Sequence, residues 1–164
     1  MRTLPFVLLM ALTSTSVAET QAKFRLLTHF SAHAAERDVI DVSKIDDSVR
    51  ISLGQKNVMA FDQRGDRLVN PRRVQGAQKR PAVTLEFSAD DKTKGLIMLR
   101  VENSYPRIVR YRAAVRPRGR RDFHETNTLP LNPNIPVLEG WKGPFEELVL
   151  FDFHLTDEKP PKTA

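Results

Sequence analysis

The chain has 164 residues, with 26 lysines and arginines against 20 aspartates and glutamates, and no cysteine. The lack of cysteine excludes disulfides, a lipid-bearing N-terminal cysteine, thiol catalysis and thiolate metal sites. A formal net charge of +6 favours solubility and a weak attraction to polyanions, and by itself names no partner.

The first eighteen residues stand apart from the rest. Arg2 supplies a positive start, Leu4 to Leu12 an apolar run, and Ser16-Val17-Ala18 a small-x-small end. That pattern predicts a cleavable secretory signal. The apolar run falls far short of the roughly 20 residues that a spanning helix needs. Cleavage after Ala18 leaves 164 less 18, or 146 residues, and a charge of +5 once Arg2 is gone. A chain of that size predicts one domain over 19–155, followed by a flexible tail over 156–164. Export without cysteine, and without an Asn-x-Ser/Thr sequon, points to a bacterial exported protein, periplasmic or secreted. Later apolar runs are short and interrupted, so no membrane span is expected in the mature chain.

Phe24–Ala35 reads as either strand or short helix. It contains His29 and His33, with Glu36 following. On a helix the two histidines lie about 5–6 Å apart, and on a strand about 13 Å. With the strand slightly preferred, no metal is assigned.

Four later segments alternate with period two, as half-buried strands do. They are "VRISL" (Val49, Ile51, Leu53 inward), "AVTLEFS" (Val83, Leu85, Phe87), "GLIMLRVEN" (Ile97, Leu99, Val101) and "ELVLFDFHL" (Val149, Phe151, Phe153, Leu155). Asp38–Val42, Asn57–Asp62 and Arg67–Val69 are weaker strands. Gly65, between polar residues, predicts a hairpin turn rather than an adhesion motif at Arg64-Gly65-Asp66. In "VENSYPRIVRY", Tyr105-Pro106 predicts a bend that Asn103 caps, with Pro106 where no ladder donor is needed. Pro117–Pro144 reads as a long proline-rich loop whose Leu129, Leu131, Ile135, Val137, Leu138 and Trp141 pack it down over the domain. Trp141 reads as an anchor of that loop.

These elements predict an all-β fold: an antiparallel β-sandwich, immunoglobulin-like in architecture, with seven or eight short strands and the proline-rich loop before the last. Val83, Leu85, Phe87, Ile97, Leu99, Val101, Val109, Tyr111, Val149, Phe151 and Phe153 are expected to share one core.

"PRIVRYRAAVRPRGRR" carries seven arginines in sixteen residues. As a strand it turns Val109, Tyr111, Ala113 and Val115 to one face and Arg110, Arg112 and Arg116 to the other, where a solvated face explains the charge. The continuation Arg118, Arg120, Arg121 lies beyond the strand end. With Arg116 and the basic loop carrying Arg72, Arg73, Lys79 and Arg80, it makes the candidate binding set, since guanidinium groups fork onto phosphates and carboxylates. Nucleic acid is excluded because stacking aromatics are not interleaved with the charge.

No nucleophile elbow, phosphate loop or paired carboxylate marks a catalytic site, and no cofactor is expected. The expected function is an exported, non-catalytic domain that binds an anionic envelope component or a partner protein through arginine-rich loops. Two alternatives are a small hydrolase-like enzyme with His124 and Glu125 under the 117–144 loop, and a structural accessory subunit associating through a sheet edge. The oligomeric state is not legible.

Overall fold

A computed structural model describes residues 39–75, 80–90 and 93–158. The expected signal at 1–18, the Phe24–Ala35 segment with its histidines, Lys79, and the tail from residue 159 lie outside those residues.

Among the described residues ten strands form, numbered in chain order: β1 (Val39–Ile40), β2 (Val49–Ser52), β3 (Gln55–Arg64), β4 (Arg67–Arg73), β5 (Val83–Ala89), β6 (Leu96–Asn103), β7 (Ile108–Pro117), β8 (Phe123–Thr126), β9 (Val137–Lys142) and β10 (Phe145–Thr156). The fold is all-β, and every strand pairing is antiparallel. The count exceeds the expected seven or eight partly because Pro117–Pro144 is not one irregular loop. It holds β8 and β9, while Pro130, Pro133 and Pro136 stand between those strands, where no ladder donor is lost. Leu131, fully buried, bridges Val109 of β7 on the way. The hairpin predicted at Gly65 is present: Gly65 and Asp66 form a two-residue turn between β3 and β4, with Gly65 at φ +59°.

The strands make one sheet in the order β1-β8-β7-β10-β4-β3-β5-β6-β9, with β2 also on β10. β7 and β9 stand near opposite ends of that order. At about 4.8 Å per strand they would be some 30 Å apart in a flat sheet. Instead the Tyr111 hydroxyl on β7 donates to Glu139 on β9 at 2.8 Å. The sheet therefore folds back on itself, and its apolar face becomes the interior.

β10, twelve residues long, is the spine. It pairs with β7 along one side and with β2 and then β4 along the other. Its alternation does not run unbroken. Phe151 pairs with Arg112 but His154 with Arg110, so β10 carries one extra residue there. Asp152, at φ +54°, sits in this bulge. The bulge flips the phase: Leu148 and Leu150 before it face the main core, as do Phe153 and Leu155 after it. Val149 and Phe151 consequently leave the core expected for them and join Val42, Ala114 and Phe123 in a smaller cluster on the opposite face of the sheet. The other nine expected core residues do lie in the main cluster.

Candidate functional site

β7 explains most of the arginines. Val109, Tyr111, Ala113 and Val115 are buried in the main core, which turns Arg110, Arg112 and Arg116 to the outer face. Each meets a carboxylate brought there by folding. Arg112 forks onto Glu125 of β8 at 2.6 and 2.7 Å and lies over the Phe151 ring, 5.0 Å from its centre. Arg116 takes Glu147 at 2.7 and 3.0 Å and also pairs with Glu146. Consecutive glutamates reach one guanidinium because a second bulge in β10, between Phe145 and Glu147, re-aims them. Arg110 reaches Glu158 at 4.0 Å, and Arg107 holds Asp66 at 2.8 Å and Asp157 at 2.8 and 3.0 Å. Asp157 and Glu158 lie in the segment expected to be tail, whose first residue, Thr156, ends β10.

The loop arginines are placed differently. Past the end of β7, a turn closed by the Arg120 amide on the Pro117 carbonyl puts Gly119 at φ +74°. The Arg118 amide ties this turn to Pro144, just before β10. Arg118, Arg120 and Arg121 are exposed there, and among the described residues none forms an ion pair. The second basic loop follows β4. Arg73 and Arg80 are exposed and likewise without a carboxylate among the described residues. Arg72 is bound in two places to Asp62, at 2.5 and 3.0 Å, and this pairing holds the Asp62 carboxyl down to about 2.

The described arginines of the two loops do not converge. Arg72 and Arg80 line one cleft together with Arg107, at the start of β7, whereas Arg118 follows its end. The ten residues of β7 between them span about 33 Å. Arg116 belongs with the strand-face ion pairs rather than with either loop.

The other sequence candidates also find places. His124 and Glu125 are neighbours on β8 and so point to opposite faces, with Glu125 gripped by Arg112. Asn103 is buried and caps the Tyr105-Pro106 bend, accepting from the Tyr105 amide at 2.8 Å and donating to the Arg107 and Leu131 carbonyls at 2.9 Å. Trp141 is buried against Phe87 and donates to Thr126 at 2.7 Å, anchoring β9 to β8.

Two features were missed. Glu139 is buried on the inner face of β9, where it accepts from Tyr111 and from the Leu129 amide through one oxygen while the other has no partner among the described residues. Burial pushes its carboxyl up to about 7, with the two hydrogen bonds pulling the other way. The signal was present in "VLEGWK", where Glu139 stands in phase with Val137 and Trp141. The second missed feature is the cleft shared by Arg72, Arg80 and Arg107, about 500 Å³ in volume. A larger cleft, about 600 Å³, lies between the first described residues and β10, and mixes Lys44, Arg67 and Arg112 with Asp41, Asp46, Asp47, Glu125 and Asp152.

Among the described residues no group of histidine, aspartate and glutamate is placed to hold a metal ion, and no helix is long and apolar enough to cross a membrane. Comparison with protein-family models, with curated proteins and with solved structures finds no match to this chain.

Proposed function

We propose that this chain is an exported, non-catalytic binding domain that engages an anionic component of the cell envelope, or an acidic partner protein there, through its arginine-rich loops. One observation carries the reading: the strand arginines are neutralised by carboxylates of the same chain, while Arg73, Arg80, Arg118, Arg120 and Arg121 are exposed and have no carboxylate partner among the described residues. A guanidinium group kept for solubility needs no such division of labour. The separation of the two loops makes them two contact points rather than one patch. Export rests on the signal pattern of residues 1–18. The scaffold fits two layers of an immunoglobulin-like sandwich, β1-β8-β7-β10-β2 against β4-β3-β5-β6-β9, a reading supported by the Tyr111–Glu139 and Trp141–Thr126 hydrogen bonds across them.

Envelope pull-downs test the binding reading. Replacing Arg118, Arg120 and Arg121 by serine should release the captured component, and unaltered capture sinks the proposal for that loop. N-terminal sequencing of periplasmic material should begin at Glu19 or a near neighbour. Recovery of the chain only as intact Met1 protein in the cytoplasm overturns both the compartment and the envelope partner.

A second reading, association through a sheet edge, is favoured by a different observation. Among the described residues the two exposed large hydrophobics, Val39 and Ile135, lie at the two ends of the strand order, in β1 and just before β9. Light scattering of the mature chain distinguishes it: a dimer lost in Ile135→Lys supports an edge contact, and a monomer at all concentrations removes it.

A further inference from the structure

The cleft beside the β6–β7 bend differs in make-up from the larger cleft beside β10. Its walls are mostly carbon, from Phe61 of β3, Val74 after β4, Leu155 of β10, the Tyr105 ring, Pro81 and Pro106, with the Gln63 amide beside them. Its charged lining is three guanidinium groups, Arg72, Arg80 and Arg107, and among the described residues no carboxylate lines it. The acids that hold two of them fix their directions from outside the cleft: Asp62 forks onto Arg72, while Asp66 and Asp157 take Arg107. Arg80 has no carboxylate partner among the described residues. The Tyr105 hydroxyl is buried against the Phe61 backbone, so the ring, and not the hydroxyl, is what Tyr105 gives the wall. The larger cleft, by contrast, holds acids and bases together and selects no charge.

A volume of about 500 Å³ falls within the range of small-molecule sites, roughly 300–1,000 Å³. Apolar walls with a few convergent polar groups are what such a site needs. A free inorganic anion would gain nothing from the walls, and a neutral hydrocarbon would leave the guanidinium groups unanswered.

We propose that the Arg72–Arg80–Arg107 cleft binds a small amphipathic anion, an acyl or aryl body carrying one phosphate or carboxylate head. The body lies against Phe61, Val74, Leu155 and the prolines, and the head meets Arg80, with the spare N–H groups of Arg72 and Arg107 at its flanks. This rests on the reading of the arginines as binding groups and gives one of the two loops its ligand class.

Calorimetric titration of the mature chain with octyl phosphate, octanoate, octan-1-ol and inorganic phosphate tests it. Octyl phosphate and octanoate should bind about tenfold or more tighter than octan-1-ol or inorganic phosphate, and Arg80→Ser should weaken them by about tenfold, the loss expected for one charge-assisted hydrogen bond. Arg80→Lys should recover part of that loss, and Val74→Asp, on a half-exposed wall position, should abolish binding with the far-ultraviolet spectrum unchanged. Competition by anionic vesicles assigns the ligand to a membrane lipid, and indifference to them assigns a free amphiphile; either upholds the site. Equal affinity for inorganic phosphate and octyl phosphate, or full affinity in Arg80→Ser, overturns it. Replacing Arg118, Arg120 and Arg121 by serine should leave the titration unaltered. Envelope capture that depends on those three residues, with no octyl phosphate binding, removes this cleft alone and leaves the wider reading standing.

Discussion

The Tyr111 hydroxyl donates to Glu139 at 2.8 Å inside the folded sheet, and both side chains are buried. The same carboxylate oxygen also accepts from the Leu129 amide, and the other has no partner among the described residues. This pair ties β7 to β9 across the interior, and its charge state is coupled to stability.

Burial raises the Glu139 carboxyl from its ordinary 4.5 to about 7, so the folded chain holds this proton more tightly than the unfolded one. The stabilisation is fully present below about pH 4.5 and is lost as pH rises through about 7. At 1.36 kcal/mol per pH unit the full swing has an upper bound of about 3 kcal/mol. Glu139→Gln keeps an acceptor for Tyr111 and Leu129 and removes the titration. Urea midpoints should fall from pH 5 to pH 8 in the native chain and stay level in the variant. Parallel curves for the two proteins contradict this.

The bulge at Asp152 separates two phenylalanines that plain alternation puts together. Phe153 packs in the main core between Phe61, at 4.8 Å, and Tyr111, at 5.6 Å, whereas Phe151 belongs to the smaller cluster under Arg112. Phe153→Ala should cost about 3–5 kcal/mol. Phe151→Ala should cost less, because fewer buried groups surround it and the outer face can collapse. Urea unfolding that ranks them the other way shows the phase of β10 to be wrong.

Asp152 itself holds φ +54°, a region that disfavours side chains by about 1 kcal/mol or more and suits glycine. Asp152→Gly should therefore leave stability unchanged or raise it slightly, while Asp152→Val should lower it by at least about 1 kcal/mol. A large loss in the glycine variant would mean that the aspartate side chain, and not the backbone, carries the position.

The division among the arginines has its own stability signature. Arg116 lies between Glu146 and Glu147, only partly exposed, with the Phe123 ring 5.7 Å away. Arg116→Ala should cost about 1–2 kcal/mol through the two stranded carboxylates. Arg118→Ser, Arg120→Ser and Arg121→Ser should each change stability by no more than about 0.5 kcal/mol. Thermal melts that treat all four alike would erase the distinction between structural and unengaged arginines.

Much of the fold was legible before folding was considered. β2, β5, β6 and β7 have unbroken alternation, and all lie where that alternation puts them, with the expected residues inside. β10 was legible as a strand but not in phase, because a bulge adds a residue without leaving a glycine to mark it. β8 and β9 were hidden among prolines, which punctuate the connection and do not forbid the short strands between them. For the candidate site, the outward arginines of β7 followed from periodicity alone. Their partners did not: Glu125, Glu146 and Glu147 reach Arg112 and Arg116 only through strand pairing and a bulge. The cleft beside Tyr105 joins β3, β4, β10 and the bend, four places that no local pattern connects.

In the proposed reading, placed arginines without a carboxylate among the described residues, and not net charge, make this surface bind. The most direct measurement compares the affinity of three proteins for vesicles doped with an anionic lipid: the native mature chain, Arg118/Arg120/Arg121→Ser, and a charge-matched control, Lys44/Lys56/Arg100→Ser. The three control cations are already paired with Asp41, Glu86 and Glu102. Both variants lose three positive charges. The expected result is weakened binding in the loop variant and nearly native binding in the control. Equal weakening in both would contradict the account and return the loop arginines to simple solubility.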